Sequence, residues 1–299
     1  MYRIIQKRNV WFIVSGIVII PGIIAIILGG LHFGIDFTGG SMIRVGFPSN
    51  RPTPDAITEK LSSLNLGNLT IQPSGDTDTA IRLQSIDQDT YQQIIDKLKE
   101  DNPDLSEESF DTIGPTFGQE LKNKAISGTV LVLIFILLYI MFAFRKTSFG
   151  VVKSWVFGTG AILALVHDIL VVVGVFAILG KFLNVEINTL FITAMLTVLG
   201  FSVHDTIVVY DRIRERLRIS YLKSFEDVVN ESVNQTIVRS LNTSLTTLLV
   251  LAALYLFGGQ SIQFFVLALL IGIIAGTYSS IFIASPLLVV WYNFASKRR

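Results

Sequence analysis

Six stretches of this sequence are long and apolar enough to cross a lipid bilayer, and no other feature restricts its fold as severely. A spanning helix needs about 20 predominantly apolar residues to traverse a hydrocarbon core about 30 Å thick. Residues 10–30, 126–144, 155–179, 187–210, 241–257 and 264–291 meet or nearly meet that length. Within lipid, backbone polar groups must be satisfied inside the segment, so each run is expected to be a helix. The last run is long enough to require tilt or a bend, and Pro286 with the Gly272–Gly276 pair offers places for one. The fifth is short and polar at its start, so its helix is expected to begin before Leu241.

Composition agrees with this reading. Charged residues make up 16% of the 299 residues and mean hydropathy is +0.59, whereas soluble domains carry about a quarter charged residues. A net charge of +1 argues against a nucleic-acid partner. The absence of cysteine excludes disulfides, thiol catalysis and cysteine-type zinc sites. Nothing in the pattern calls for a metal or an organic cofactor. Residues 10–30 are longer than a signal-peptide core and lack a small-x-small cleavage site, so they read as a retained first span.

Orientation follows from Lys and Arg in the short loops. Residues 1–9 carry three, 145–154 three, 212–239 six and 296–299 three, against one (Lys181) in 180–186 and none in 258–263. The basic set is expected to be cytoplasmic. This divides the chain into a cytoplasmic N-terminus (1–9), span 1 (10–30), an extracytoplasmic domain (31–124), spans 2–6 (125–293) with a cytoplasmic connector at 212–239, and a basic cytoplasmic C-terminus (294–299). The connector's run Arg212-Ile213-Arg214-Glu215-Arg216-Leu217-Arg218 is basic enough to lie on anionic lipid headgroups.

Periodicity changes within 31–124. Met42–Phe47 alternates as a strand, Pro54–Leu64 reads as a helix capped by Thr53, and Leu69–Gln72 and Ala80–Gln84 read as strands around the Ser74-Gly75-Asp76 turn. Asp89–Lys99 reads as a helix and Ser109–Ile113 as a strand. The order β-α-β-β-α-β is the ferredoxin-like one. The expected fold class is therefore an all-α six-helix membrane bundle with a small α+β ferredoxin-like domain after its first span. The acidic residues Asp101, Asp104, Glu107, Glu108 and Asp111 read as a solvated face, a contact face for an unfolded client being the alternative.

Ionisable groups inside spans are expensive and mark function by default. Span 3 holds His167-Asp168, and span 4 holds His204-Asp205, with Asp211 and Arg212 at its end. Asp205 lies seven residues inside Arg212, about 10 Å at 1.5 Å per residue. A membrane-embedded Asp with a movable Arg or His partner can load and release protons near neutral pH. Arg239 is the leading cation, because Asn230–Thr236 before it and Asn242, Thr243, Ser244, Thr246 and Thr247 after it form a polar approach to span 5; snorkelling of Arg239 to the headgroups is the alternative. Asp168 reads either as a second relay group or as a polar bond between helices. His167 and His204 read as polar packing more readily than as relay members. Gly158, Gly160, Ala164, Gly272 and Gly276 sit at helix-packing intervals.

Three segments carry a resemblance. Gly34-Ile35-Asp36-Phe37-Thr38-Gly39-Gly40 is similar to an Asp-Phe-x-Gly-Gly signature at the outer end of span 1, where paired glycines let a helix end sharply and launch a strand. Gly200–Glu215 is similar to a run Asp-Thr-(Ile/Val)-Val-Val-(Phe/Tyr)-Asp-Arg-Ile-Arg-Glu. Asn234-Gln235-Thr236 followed by Arg239-Ser240-Leu241-Asn242-Thr243-Ser244 is similar to Asn-Gln-Thr…Arg-x-x-Asn-Thr-Ser. Together, and with the order of spans, they resemble the SecF members of the SecD/SecF protein-export family, over nearly the whole chain. One position departs: His204 stands where that run usually has Asn.

The resemblance implies pairing with SecD, so that two six-span halves form a twelve-span unit like that of the proton-driven RND transporters. It implies work beside the SecYEG channel and the SecA motor on a translocating polypeptide, in a bacterial cytoplasmic (inner) membrane, with protons as the coupling ion. It implies Asp205 and Arg239 as the proton-coupling pair, a further acid coming from SecD, and Asp168, His204, His167, Thr206, Asn242 and Thr243 as relay or polar support. Two alternatives differ in class. An intramembrane aspartyl protease would need a Gly-x-Gly-Asp motif, which neither Asp205 nor Asp168 has. An RND-type half-transporter for small molecules or lipids would need a larger outer cavity than one small domain offers.

Overall fold

The computed structural model describes residues 2–49, 51–67, 69–75, 77–145, 152–219 and 223–297. Asp76 of the expected turn, Lys146 of the basic loop, and Arg298 and Arg299 lie outside them. The chain forms two compact units, residues 33–126 and a bundle made of 2–32 with 127–297. Six helices among the described residues are long and apolar enough to cross a membrane.

Helix α1 (Arg8–Ile27) is the first span. It stops at Leu28, and Gly29 follows at φ 77°. The Gly-Gly signature therefore does not end the spanning helix, as expected from sequence. It ends a separate single turn, α2 (Ile35–Thr38), and starts strand β1 (Gly40–Gly46). Next come α3 (Pro54–Leu61), β2 (Thr70–Ser74), β3 (Asp78–Leu83), α4 (Gln88–Asp101) and β4 (Ser106–Ile113). Thr53 caps α3 as expected, its hydroxyl accepting from Ala56 N at 3.3 Å. Asp87 caps α4 in the same way, accepting from Thr90 N at 3.0 Å.

The sheet order is β2-β3-β1-β4 with every neighbouring pair antiparallel. Each helix thus crosses between strands separated by a third, which is the split βαβ, ferredoxin-like arrangement. Alternation in β1 turns Ile43 and Val45 inward, and Ile43 faces Ile81 of β3 and Phe110 of β4. Ile57 and Leu61 of α3 and Ile94, Ile95 and Leu98 of α4, at helical spacing, close the core over that face. Asp101, Asp104, Glu107, Glu108 and Asp111 are exposed, with Lys60 and Lys99 paired to Asp101 and Glu107 at 2.5 and 2.6 Å.

Helices α5 (Pro115–Ala143), α6 (Ser154–Leu183), α7 (Thr189–Ile219) and α8 (Phe225–Phe257) are followed by α9 (Gln260–Ser279), one π turn (Ser280–Ala284) and α10 (Ser285–Ser296). The expected connector 212–239 is largely helix: α7 runs on to Ile219, and α8 starts at Phe225, sixteen residues before the apolar run at Leu241. Polar residues there are bonded rather than solvated. Asn230 Oδ1 accepts from the main-chain N–H of Ile4 and Ile5 at 2.9 and 3.2 Å, and Asn234 Oδ1 accepts from Tyr2 N at 2.7 Å. The N-terminal segment is thereby laced to α8, and Trp11 Nε1–H donates to Ile4 O at 2.9 Å.

The last span is interrupted by its π turn, and Pro286 just after it has no N–H to give to the preceding turn. Two carbonyls of this stretch also take side-chain bonds: Ser285 Oγ donates to Ser280 O at 3.1 Å and Tyr210 to Ala284 O at 3.2 Å. Small residues let the helices meet closely. A Cβ on Gly22 would lie 2.6 Å from Gly174 Cα, and one on Gly276 would lie 2.8 Å from Ser202 Cβ.

Candidate functional site

Two buried carboxylates sit on adjacent helices of the bundle. Asp205 is on the inward face of α7 with Ser202, Thr206 and Val209, and is 8% exposed. Its Oδ1 accepts from Ser240 Oγ of α8 at 2.5 Å, and its Oδ2 accepts from Ser280 Oγ at the start of the π turn. Hydrogen bonds to a carboxylate are the stronger kind, and here both oxygens are served by neutral donors. One turn along α8, the hydroxyls of Ser244 and Thr277 lie 2.5 Å apart. Thr277 gives its own hydrogen to Ile273 O at 2.8 Å, so Ser244 is the donor. A ladder of hydroxyls therefore joins α8 to α9 around Asp205.

Arg239 is not in that ladder. It precedes Ser240 and so points about 100° away round the helix; it is exposed on the bundle surface. Among the described residues its side chain makes no hydrogen bond or ion pair, and only its carbonyl is used, accepting from Thr243 Oγ1 at 3.0 Å. Asn242, Thr243 and His204 are exposed too. The structure thus separates the sequence-derived pair, turning Asp205 and Thr206 inward and Arg239 and His204 outward. Ser240 sets Arg239 at the level of Asp205 along the bundle, and an arginine facing lipid at the centre of a span costs about 3 kcal/mol on insertion scales.

Asp168 of α6 is fully buried. Its Oδ2 accepts from Ser202 Oγ at 2.6 Å and Ser279 Oγ at 2.9 Å, and its Oδ1 lies 3.0 Å from His167 Nδ1. His167 Nε2 lies 3.0 Å from Ser15 Oγ of α1, and its ring stacks on Tyr278 with centroids 5.8 Å apart. Asp168 and Asp205 are not bonded to each other, so they do not form a shared-proton dyad of the aspartyl-protease kind. Sequence reasoning missed Ser15, Ser202, Ser240, Ser279 and Ser280. The available signals were the i, i+4 spacing of Ser240 and Ser244 and the Ser279-Ser280 pair inside an apolar run.

The remaining motif residues have local roles. Gly39 and Gly40 take φ of 71° and 124°, and a Cβ on Gly39 would meet Pro115 Cα at 2.6 Å. Phe37 is buried against Phe33, ring centroids 6.1 Å apart and edge-on, while Asp36 is half-buried. At the end of α7, Asp211 pairs with Arg214 rather than Arg212, which instead donates to Gln235 and Glu215, both at 2.6 Å. Arg216 pairs with Glu231 at 2.5 Å. Three of the four arginines of this basic run are therefore bonded to α7 and α8 side chains.

A bundle of six apolar helices that buries carboxylates against serines, with a ferredoxin-like domain after the first helix, defines a multi-pass membrane protein with a polar site inside its bundle. Residues 93–294 match the family described as protein export membrane protein SecD/SecF, C-terminal, and residues 24–47 match the SecD/SecF GG motif, which includes Gly39 and Gly40. The chain belongs to the SecD/SecF family of protein-export membrane proteins. Within it, the chain is similar over its length to subunits named SecF: the protein translocase subunit SecF of Thermobaculum terrenum is 45% identical over 98% of this chain and 95% of its own length. That of Anaerolinea thermophila is 38% identical over 97% and 94%. The crystal structure of SecDF, a translocon-associated membrane protein from Thermus thermophilus, superposes with a TM-score of 0.84 at 30% identity, covering 98% of this chain; the chain spans 39% of that longer protein.

Proposed function

We propose that this chain is the SecF-type half of a SecD–SecF pair that uses the proton gradient to drive late steps of protein export across the bacterial cytoplasmic membrane. The observation that carries the reading is the division at one depth of the bundle. Asp205 is buried among hydroxyls, while Arg239, His204, Asn242 and Thr243 beside it are exposed on a surface where lipid would be a poor neighbour. Another membrane-spanning protein with polar groups of its own suits that surface, and SecD, with an acid for Arg239, is the partner the family relationship supports. Asp205 is the proton-carrying group, with protons as the coupling ion and no other cofactor; Arg239 is the cation whose approach or withdrawal sets its charge.

In this reading both termini are cytoplasmic, residues 31–124 are extracytoplasmic and meet the translocating polypeptide, and SecYEG and SecA are the machinery served. The distribution of Lys and Arg supports the orientation.

The test is translocation of a model precursor into vesicles holding SecYEG, SecA, SecD and this chain, with and without a proton gradient. Asp205→Asn and Arg239→Met, at matched expression, are expected to lose only the gradient-dependent part. Unchanged gradient dependence in both would overturn the coupling role.

A further inference from the structure

The second carboxylate carries an inference of its own, from the direction of each hydrogen bond around it. A hydroxyl has one hydrogen to donate. Tyr278 donates its hydrogen to the main-chain carbonyl of Trp11 at 2.7 Å, a group that can only accept. Toward Ser15, at 3.4 Å, the Tyr278 oxygen is then the acceptor and Ser15 the donor. With its hydrogen so placed, Ser15 accepts from His167 at 3.0 Å, an arrangement that assigns the imidazole hydrogen to Nε2. Two states remain for the contact between His167 Nδ1 and Asp168 Oδ1 at 3.0 Å: a neutral imidazole accepting from a protonated carboxyl, or an imidazolium facing a carboxylate. In both, the pair holds one proton more than a neutral imidazole and a carboxylate would hold together.

Charge leads to the same count independently. Asp168 is fully buried, and among the described residues no Lys or Arg bonds to it. A buried carboxylate without a counter-charge is prohibitively costly. The groups facing the pair are few. Helix α1 presents Ser15, and α9 presents Tyr278 and Ser279. Helix α7 presents Ser202, with Asp205 one turn on and engaged by Ser240 and Ser280. His167 alone can neutralise Asp168 there.

We infer that His167 and Asp168 form a second proton-binding site in the bundle, separate from Asp205, whose loading decides to which helix Ser15 donates its hydrogen. When one proton leaves to water, the imidazole keeps a single hydrogen, on Nδ1 facing the carboxylate, whichever of the two loaded states it left. Nε2 becomes an acceptor, and Ser15 turns its hydroxyl from Tyr278 of α9 to His167 of α6. Loading therefore adds the Ser15–Tyr278 bond to the Tyr278–Trp11 bond that already joins α1 to α9, and unloading removes it.

The test is nitrogen-15 NMR of the full chain in lipid nanodiscs, labelled at histidine, with the three imidazoles assigned by His32→Gln and His204→Gln. Near neutral pH, His167 is expected with hydrogen on Nε2, and as pH rises the pair should lose one proton with the hydrogen reappearing on Nδ1. Infrared spectra of the wild type should show whether a protonated carboxyl or the imidazolium holds the extra proton. In Asp168→Asn the side-chain amide donates to Nδ1, so the transition should be lost; Asp205→Asn should keep it. An Nδ1–H tautomer already present near neutral pH would overturn the inference, as would a transition unaltered by Asp168→Asn. Wild-type spectra decide the first point even if the variant fails to fold, and none of these readouts depends on export.

Discussion

Ser279 and Ser280, neighbours in the chain, donate their hydroxyls to different carboxylates on different helices, Asp168 of α6 and Asp205 of α7. Consecutive residues on an α-helix point about 100° apart, and the π turn that begins at Ser280 allows both to face inward with both bonds made. One short stretch of the last span therefore contacts both buried acids.

Removing one of these donors should be felt in stability and not only in activity. Ser280→Ala leaves Asp205 with Ser240 as its remaining hydroxyl donor, and a buried polar group left short of a hydrogen bond costs about 1–3 kcal/mol. Thermal unfolding of the purified chain in detergent, followed by tryptophan fluorescence, is expected to show a lowered midpoint. A midpoint equal to that of wild type would mean that Ser280 does not hold the acid.

Asn230 should anchor the N-terminus. Its Oδ1 accepts from two main-chain N–H groups and its Nδ2 donates to Tyr2 O at 3.1 Å. Asn230→Ala leaves Ile4 and Ile5 N–H unsatisfied in a buried setting, at about 1–3 kcal/mol. Faster amide hydrogen exchange at residues 4–7, with exchange in β1 unchanged, is the expected result.

Gly39→Ala should damage the outer domain out of proportion to its size. The new Cβ would meet Pro115 Cα at 2.6 Å, in a backbone held at φ 71°, and strain of this kind costs about 1–3 kcal/mol. Gly114→Ala is the matched control, because nothing lies within 4 Å of its added Cβ; it should stay within about 0.5 kcal/mol of wild type. Hydrogen exchange in β1 and β4 reads both variants.

Acid should loosen the contact between α4 and β4. Lys99 at 2.6 Å and Tyr91 at 2.7 Å hold the Glu107 carboxyl below the usual carboxylate range. Burial, with Glu107 beside it, pushes the Tyr91 phenol up to about 12. A depressed carboxylate contributes stability above its unfolded value of about 4.3, lost as pH falls through the folded value; a raised phenol contributes below about 10, lost as pH rises toward its folded value. Protection of β4 amides, corrected for intrinsic exchange, should therefore form a plateau between these limits, and Glu107→Gln should flatten its acid edge.

The sequence shows its spans and the β-α-β-β-α-β order because both rest on local periodicity. Thr53 was readable as a cap because a cap is a short-range pattern. The strand order β2-β3-β1-β4 depends on which distant edges meet, and it followed only from the ferredoxin-like class that the element order indicates. The start of α8 was hidden for a related reason: Asn230 and Asn234 look like loop residues until the main chain of Tyr2, Ile4 and Ile5 is seen to bond to them. Asp168 and Asp205 stand out because charge is rare in a span, whereas their serine partners are neutral and small and announce nothing until the helices are packed. Arg239 differs: the sequence places it beside a hydroxyl-rich run without deciding whether it touches Asp205, and the helical phase of one residue turns it outward.

At the crossing of α1 and α6, Gly22 and Gly174 put backbone against backbone with no side chain between them. A Cβ on either glycine would lie 2.6 or 2.8 Å from the facing Cα, so a slide that brought a neighbouring side chain into the gap would clash, and the crossing works as a pivot. Among the described residues the one side-chain hydrogen bond between these two helices is that of Ser15 with His167, which makes a single imidazole the catch beside that pivot.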